Sequence, residues 1–432
     1  MSDEPNIGSL NDCFAQAQQL MPTNEALARL RQHARPLTTT ETLPLAKACG
    51  RILAQPLASP RQIPGFDNAA VDGYALRGQD LKAEGETQLQ VIDHIAAGHS
   101  TLTELREGTA VRILTGARLP AGADTVVMQE DVQRHGDEVR IPSGIKAGIN
   151  WRPAGEDMAI GAEILPAGQR LRPQDIGAAA AMGYTALTVY RPLKVAVFST
   201  GDEIREPGTP LAVDSVYDVN RYMLAAFLGQ LGAEVTDLGI LADDRETVTS
   251  ALHQAASEHQ VILTSGGAST GDEDHIAAAI EQLGSLHFWR MAIKPGRPLA
   301  FGSIKAAGNS QDCLFIGFPG NPVATAVCFW RFAHPLLCTL GGQTWPEPQL
   351  FKLPADFELR KKIGRREWLR AQLVTNAHGE RCVHKYPKQG SGILSSLVEA
   401  DGLAEIPEEV THIQPGDPVL FLPFSQFSGY SK

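Results

Sequence analysis

Residues 261–274 read VILTSGGASTGDED, and residues 194–203 read KVAVFSTGDE. In each, a short apolar, β-branched run changes abruptly to Gly, Ser, Thr and acid. Such text fits a buried strand that stops at a glycine turn. Two further stretches follow the same rule. Residues 235–240 run into Asp243 and Asp244, and residues 314–318 run into Pro319-Gly320-Asn321-Pro322. Helical patterns fall between them, near 220–231, 245–258, 275–283 and 323–337. Strand–helix alternation specifies a parallel sheet with helices on both faces, and ligands of such sheets sit beyond the carboxyl ends of the strands. Residues 187–342 therefore read as an α/β domain.

If the four strands are parallel, their four loops share one edge of the sheet. Ser265, Gly266 and Gly267 would let backbone N–H groups approach a phosphate, and a following helix N-terminus would add partial positive charge. Carboxylates at the same edge would repel that phosphate unless Mg²⁺ lay between, an ion that takes one or two carboxylates together with substrate phosphates. Duller uses compete with this one. Asp272 and Asp274 open a helix, where acids cap N–H groups, and Pro322 suits the first turn of a helix. Neither G-x-x-x-x-G-K-[ST] nor G-x-G-x-x-G occurs, so no standard nucleotide fingerprint applies.

Positive charge comes from WRMAIKPGRP, residues 289–298. Read as one extended strand, it places Arg290 and Lys294 on one face about 13 Å apart, at roughly 3.3 Å per residue. Arg297 reads as an ordinary solvated charge. A second basic group comprises Arg360, Lys361, Lys362, Arg365, Arg366 and Arg370, and most such runs are merely solvated.

Around the α/β domain the text differs. Residues 1–20 read as an extension. Residues 21–58 carry a helical pattern at 23–33 and another at 43–54. Together with 151–186, which hold a hairpin at 161–173 and a helix at 174–182, they suggest a discontinuous N-terminal domain. Residues 59–150 break into short apolar runs between Gly and Asp, a small β-rich domain. Residues 343–432 read as a C-terminal β-barrel. The expected fold class is thus α/β plus β-rich domains, a multidomain chain built around a three-layer α/β domain with a parallel sheet.

The chain has 432 residues, enough for about three domains. A net charge of −11 excludes broad nucleic-acid binding, so an anionic substrate needs a local cationic pocket. The six scattered cysteines include no C-x-x-C pair and read as reduced thiols. No apolar leader and no uninterrupted apolar stretch of about 18 residues occurs, so a cytoplasmic protein with no membrane partner is expected.

Taken in order, PGFDNAAVDGYA (64–75), ILTGA (113–117), GED (155–157), STGDE (199–203), SGG (265–267), IKPGRP (293–298) and PGNPV (319–323) resemble the molybdopterin molybdotransferases. These are the molybdenum insertases, a family that includes bacterial MoeA and the gephyrin E domain. The resemblance implies four domains per subunit and a homodimer with its active site between subunits. It implies a reaction in which adenylylated molybdopterin and molybdate give molybdenum cofactor and AMP with Mg²⁺. By motif position it assigns Glu203, Asp243 and Asp274 to the metal, and Asp72, Thr115, Lys294, Arg370 and Ser391 to catalysis. Substrate contacts fall to Ser265, Gly266, Gly267, Arg290, Pro319, Gly320, Asn321 and Pro322. Three positions depart from the family pattern: Ala69-Ala70-Val71 replaces Ser-Ala-Met, Arg290 stands where many members carry Lys, and Ala324 stands where a Ser often follows. Two other readings compete, a non-catalytic molybdopterin carrier and the preceding adenylylating step. The retained acids count against a passive carrier, which tight pterin binding without Mg²⁺-dependent AMP release would favour; ATP consumption would reveal the adenylylating step.

Overall fold

The computed structural model describes residues 20–99, 104–266, 275–296, 298–305 and 311–427. The readings made on residues 1–19, Gly267, Asp272, Asp274 and Arg297 lie outside the described residues. Contacts divide the chain into two compact units. One comprises Pro56–Pro166 and Pro173–Thr185; the other comprises Met1–Gln55, Ala167–Arg172 and Ala186–Lys432.

The first unit holds a six-stranded sheet of β1 (Gly73–Leu76), β2 (Thr87–Ile95), β3 (Thr109–Ile113), β4 (Thr125–Met128), β5 (Gln133–His135) and β6 (Glu138–Ile141), in the order β4-β1-β3-β2-β6-β5. Successive side chains on a strand point to opposite faces. Ala75, Val111 and Val126 accordingly join one buried cluster, while Tyr74, Ala110 and Val127 join another. Burial on both faces is why these strands read as continuous apolar runs. At the start of β1 a Cβ on Gly73 would stand 2.0 Å from the Val127 carbonyl oxygen, so the backbones meet there as only glycine permits.

In the second unit the expected first helix is present as α1 (Thr23–His33), burying Thr23, Ala26 and Leu30. The helix expected at 43–54 is absent. Thr40–Pro44 is a strand paired antiparallel with Ala186–Tyr190, followed by a single turn at Leu45–Lys47. Thr40 and Thr42 favour extended backbone, and Pro44 supplies no N–H to a helix. The hairpin expected at 161–173 is also absent. Glu163–Leu165 pairs with Leu57–Ala58 in the first unit, and Arg170 bridges Ile52 in the second. The helix expected after it is α2 (Pro173–Met182).

The α/β sheet contains β7 (Lys194–Thr200), β8 (Glu234–Leu241), β9 (Val261–Ser265), β10 (Gly284–Arg290), β11 (Pro298–Ile304) and β12 (Cys313–Phe318), ordered β8-β7-β9-β12-β11-β10. The four strands read from the apolar runs are parallel; β10 and β11 add an antiparallel edge, so the sheet is mixed. Val195, Val197, Leu263 and Ile316 pack with Leu224 and Leu228 of α3 (Asn220–Leu231). The alternate residues Ala196, Phe198, Ile262 and Phe315 pack with Val248 of α4 (Arg245–Glu258) and Ile276 of α5 (His275–Leu283). Three layers result.

The last helix of this domain, α6, spans Pro322–Leu340. Its length and hydropathy of 1.3 would suit a membrane span, but 89% of its apolar window is buried in the protein. Core packing accounts for it. The turn Phe329–Ala333 within it is a π-helix.

The C-terminal sheet contains β13 (Phe351–Pro354), β14 (Arg366–Thr375), β15 (Arg381–Lys385), β16 (Gly402–Ile406) and β17 (Pro418–Pro423). Its path runs from Ile293–Lys294 through β14, β16 and β17 to β13, with β15 on β14. Ala355, just past β13, bridges Val383 in β15. Residues 289–298 are therefore not one strand. Arg290 closes β10 opposite Pro298, whereas Ile293–Lys294 leaves that sheet to pair with Arg366–Glu367. Arg290 and Lys294 lie in different sheets because each end of the segment finds a separate partner.

Candidate active site

Parallel pairing sets Ser199 beside Ser265 and Ser265 beside Phe318, so β7, β9 and β12 end together. The turn after β9 then closes on its neighbours. Gly266 N–H donates to the Phe318 carbonyl (3.1 Å), and its φ of +94° lies in the left-handed region that favours glycine. Asn220, the first residue of α3, donates through Nδ2 to Ser265 Oγ (2.6 Å) and to the Gly320 carbonyl (2.7 Å). Its own Oδ1 is buried with no partner among the described residues. A polar residue at a helix start reads from sequence as a cap, which is why Asn220 was not expected here.

Thr200 Oγ1 donates to Asp243 Oδ1 (3.3 Å). Asp243 and Glu203 are both exposed, and Glu203 Oε2 would lie 2.7 Å from a Cβ on Gly201, so its carboxylate rests against that turn. Asp244 takes the duller role. It caps α4 by accepting from Thr247 N–H (2.9 Å), and that bond lowers its pKa. Among the described residues no group of three His, Cys, Asp or Glu is set to hold a metal. Asp274 lies outside them.

Pro322 opens α6 as expected, and the Pro319 carbonyl accepts from Thr325 Oγ1 (2.6 Å). Val323 N–H donates to the Ser391 carbonyl (3.0 Å), joining the C-terminal domain to the start of α6. A Cβ on Gly392 would lie 3.8 Å from Asn321 Oδ1. Ser265, Gly266, Gly320, Asn321, Pro322 and Ser391 thus form one connected surface with Thr200 and Asp243.

Lys294 Nζ lies 3.5 Å from Glu367 Oε2, and the lysine side chain is 45% exposed. Arg370 is fully buried. It donates to the Gly390 carbonyl (2.9 Å) and to Ser396 Oγ (2.9 Å), and burial pushes its pKa down to about 10. Its Nη1 has no partner among the described residues. The structure therefore gives Arg370 a supporting place, holding the loop that carries Ser391. The basic run around it is less solvated than expected: Arg366 is also buried, paired with Glu405 (3.0 Å) and Glu408 (2.9 Å).

Asp72 and Thr115, 43 residues apart, meet in the β-rich unit. Thr115 N–H and Oγ1 both donate to Asp72 Oδ1 (2.7 and 2.6 Å). The hydroxyl first, then the backbone bond, hold the Asp72 carboxyl below its ordinary value. Stabilisation from such a lowered group is present above the ordinary carboxylate pKa and fades as pH falls through the lowered one. Thr115→Val is expected to make Asp72 titrate at higher pH. Carboxyl NMR checks this, and an unchanged titration would show that the hydroxyl bond is irrelevant in solution.

Three family models cover most of the chain: "MoeA N-terminal region (domain I and II)" over residues 21–183, "Probable molybdopterin binding domain" over 196–339, and "MoeA C-terminal region (domain IV)" over 352–424. The molybdopterin molybdenumtransferase of Haemophilus influenzae is 37% identical, across 91% of this chain and 96% of that relative. The chain belongs to the molybdopterin molybdenumtransferase family. A family member from a Nostoc species is 36% identical across 89% of this chain and 88% of its own length. The crystal structure titled a molybdopterin biosynthesis MoeA protein from Pyrococcus horikoshii OT3 superposes with a TM-score of 0.78 at 30% identity, covering 94% of this chain and all of that one. Two departures from the family pattern have visible surroundings. Ala69 is buried in a short strand paired with Trp151, and the Ala324 methyl is packed 3.2 Å from where a Gly296 Cβ would stand.

Proposed function

We propose that the chain transfers molybdenum from molybdate into adenylylated molybdopterin, releasing AMP with Mg²⁺. The observation that carries this reading is the shared edge where β7, β9 and β12 end together, with Thr200 bonded to Asp243, Asn220 to Ser265 and Gly320, Gly266 to Phe318, and Val323 to Ser391. The N–H groups of Gly266 and Val323 are already donated to Phe318 and Ser391, so a pyrophosphate would rely on the remaining turn N–H groups and on the positive end of the α6 dipole.

The donor set suits Mg²⁺. Glu203 and Asp243 are hard oxygen ligands, both exposed and so open to the waters this ion retains. Asp274, by the resemblance, would complete the set. When bound, the ion supplies charge neutralisation and a template for the phosphates. The chain's own residues do the rest. Lys294, held beside Glu367, and the Ser391 hydroxyl hold molybdate by charge-assisted hydrogen bonds, while Arg370 fixes the Ser391 loop. The two soft pterin thiols would then bind the molybdenum, their two protons leaving with one oxo ligand as water and the metal's oxidation state unchanged. Asp72 and Thr115 act from the partner subunit of a homodimer.

The deciding assay mixes the protein with adenylylated pterin, molybdate and Mg²⁺, then measures cofactor and AMP. Both products are expected only when all components are present. Tight pterin binding without AMP would overturn the reading in favour of a carrier. Mixing Asp72→Ala protein with Asp243→Asn protein, each strongly impaired alone, should restore activity through mixed dimers; no recovery would count against a shared site.

A further inference from the structure

Far from the proposed edge, the second half of α6 borders a cleft of about 740 Å³. That volume lies in the range of small-molecule sites, roughly 300–1,000 Å³. Arg331 is nine residues beyond Pro322, about 13 Å along a helix that rises 1.5 Å per residue. The cleft is thus a place of its own.

Its lining is unlike the surrounding surface. Among the described residues, Arg31, Arg172 and Arg331 line it with one carboxylate, Glu347, in a chain whose net charge is −11. Glu347 pairs with Arg31 at the rim, where both are largely exposed. Arg331 lies deeper, its side chain only 6% exposed. Its one carboxylate contact among the described residues, Nη2 to Glu405 Oε2, is long at 3.4 Å. Glu405 is already shared, accepting from Trp368 Nε1 (2.8 Å) and Arg366 Nη1 (3.0 Å). Arg331 Nε is buried without a partner among the described residues.

Flat apolar surface lies beside these cations. Trp330 stacks with both Phe424 (ring centroids 4.3 Å apart) and Phe427 (5.7 Å), which makes one wall rigid. Trp345, half-buried, lines the cleft with Pro346 and Pro348. His334 is held neutral, because burial and then Arg170 push its pKa down to about 4; it offers hydrogen bonds without charge. Trp330 and Arg331 both sit in the π-helical turn Phe329–Ala333. Such turns are rare and frequently mark functional sites.

We propose that this cleft is a second ligand site, one that takes a small anion carrying a flat ring, of the aromatic monophosphate class. The phosphate meets Arg331 and the rim arginines, and the ring lies against Trp345. Neither half suffices alone, since the cations are partly engaged already and the aromatic wall is short. The site is independent of the reaction proposed above.

AMP serves as the probe, titrated without Mg²⁺ into the full chain carrying Asp243→Asn, and followed by tryptophan fluorescence and equilibrium dialysis. Saturable binding is expected, weakened about tenfold or more by Trp345→Leu or by Arg31→Gln, the losses typical of a stacking face or a charged hydrogen bond. Adenosine and inorganic phosphate, tested separately, should each bind more weakly by a similar factor. Circular dichroism confirms that both variants stay folded, which their exposed or half-buried positions favour. Binding that neither variant alters would overturn the proposal, as would phosphate alone binding as tightly as AMP, or no saturable binding. Trp345→Leu in the otherwise unaltered chain should release AMP at the normal rate. A chain that released no AMP would still give a readable titration, so the two proposals fail separately.

Discussion

Asp243→Asn is expected to lower Mg²⁺-dependent AMP release about 100-fold, the scale of losing one preorganised electrostatic contact in an active site, with no change in thermal midpoint. The amide keeps the size of the carboxylate, and its oxygen can still accept from Thr200 Oγ1, so local structure has no reason to move. What disappears is the charge. A hard cation held by few protein ligands depends on each one. Glu203→Gln should behave alike, since Glu203 is equally exposed on the neighbouring loop. AMP release from Asp243→Asn at the normal rate under saturating Mg²⁺ would remove this residue from the metal site.

The largest stability effect is expected at Arg221. Its Nε donates to Asp218 (2.8 Å), Nη1 to Asp237 (2.5 Å) and Nη2 to Glu206 (2.5 Å). Burial disfavours its charge, yet the bonds to Asp237, Asp218 and Glu206 outweigh that and hold its pKa above the ordinary value. The three bonds are not equal. Asp237 and Glu206 are 43% and 44% exposed, and pairs open to water contribute about 0–1 kcal/mol each. Asp218 and Arg221 are each only 3% exposed. Arg221→Met therefore strands a buried carboxylate, at a cost of about 3–5 kcal/mol. Urea denaturation of the chain checks this; a loss below about 1 kcal/mol would mean that Asp218 escapes to water. Because Asp218 N–H donates to the Arg205 carbonyl and Val216 N–H to that of Glu203, the variant should also loosen the lobe next to Glu203.

Much of the α/β domain was legible because its signals are local. The helices at 220–231 and 245–258 carry their own stops and starts, Gly232 in the left-handed region after one and Asp244 capping the other. Strands buried on both faces announce themselves as unbroken apolar runs. The failures have one cause. Residues 40–44 carry a local bias to extended backbone, but their partner, 186–190, lies far along the chain, and nothing within a dozen residues reports that pairing. Residues 290–294 change sheets for the same reason. In the site, glycine turns and exposed acids could be read directly. The Asp72–Thr115 pair could not be inferred from spacing and came only from the family resemblance. Asn220 and Arg221 were missed because burial, not residue type, is what distinguishes them.

One strand of the C-terminal sheet does two jobs at once. On β14, Glu367 steadies Lys294, and three positions later Arg370 grips the loop bearing Ser391. Three residues of extended chain measure about 10 Å. The spacing of these two anchors is thus set by the pitch of a backbone, and because they are an odd number of residues apart, Glu367 and Arg370 work on opposite faces of the sheet. Inserting one residue between them would turn one anchor to the wrong face, so the grip on Lys294 and the grip on the Ser391 loop could not both survive.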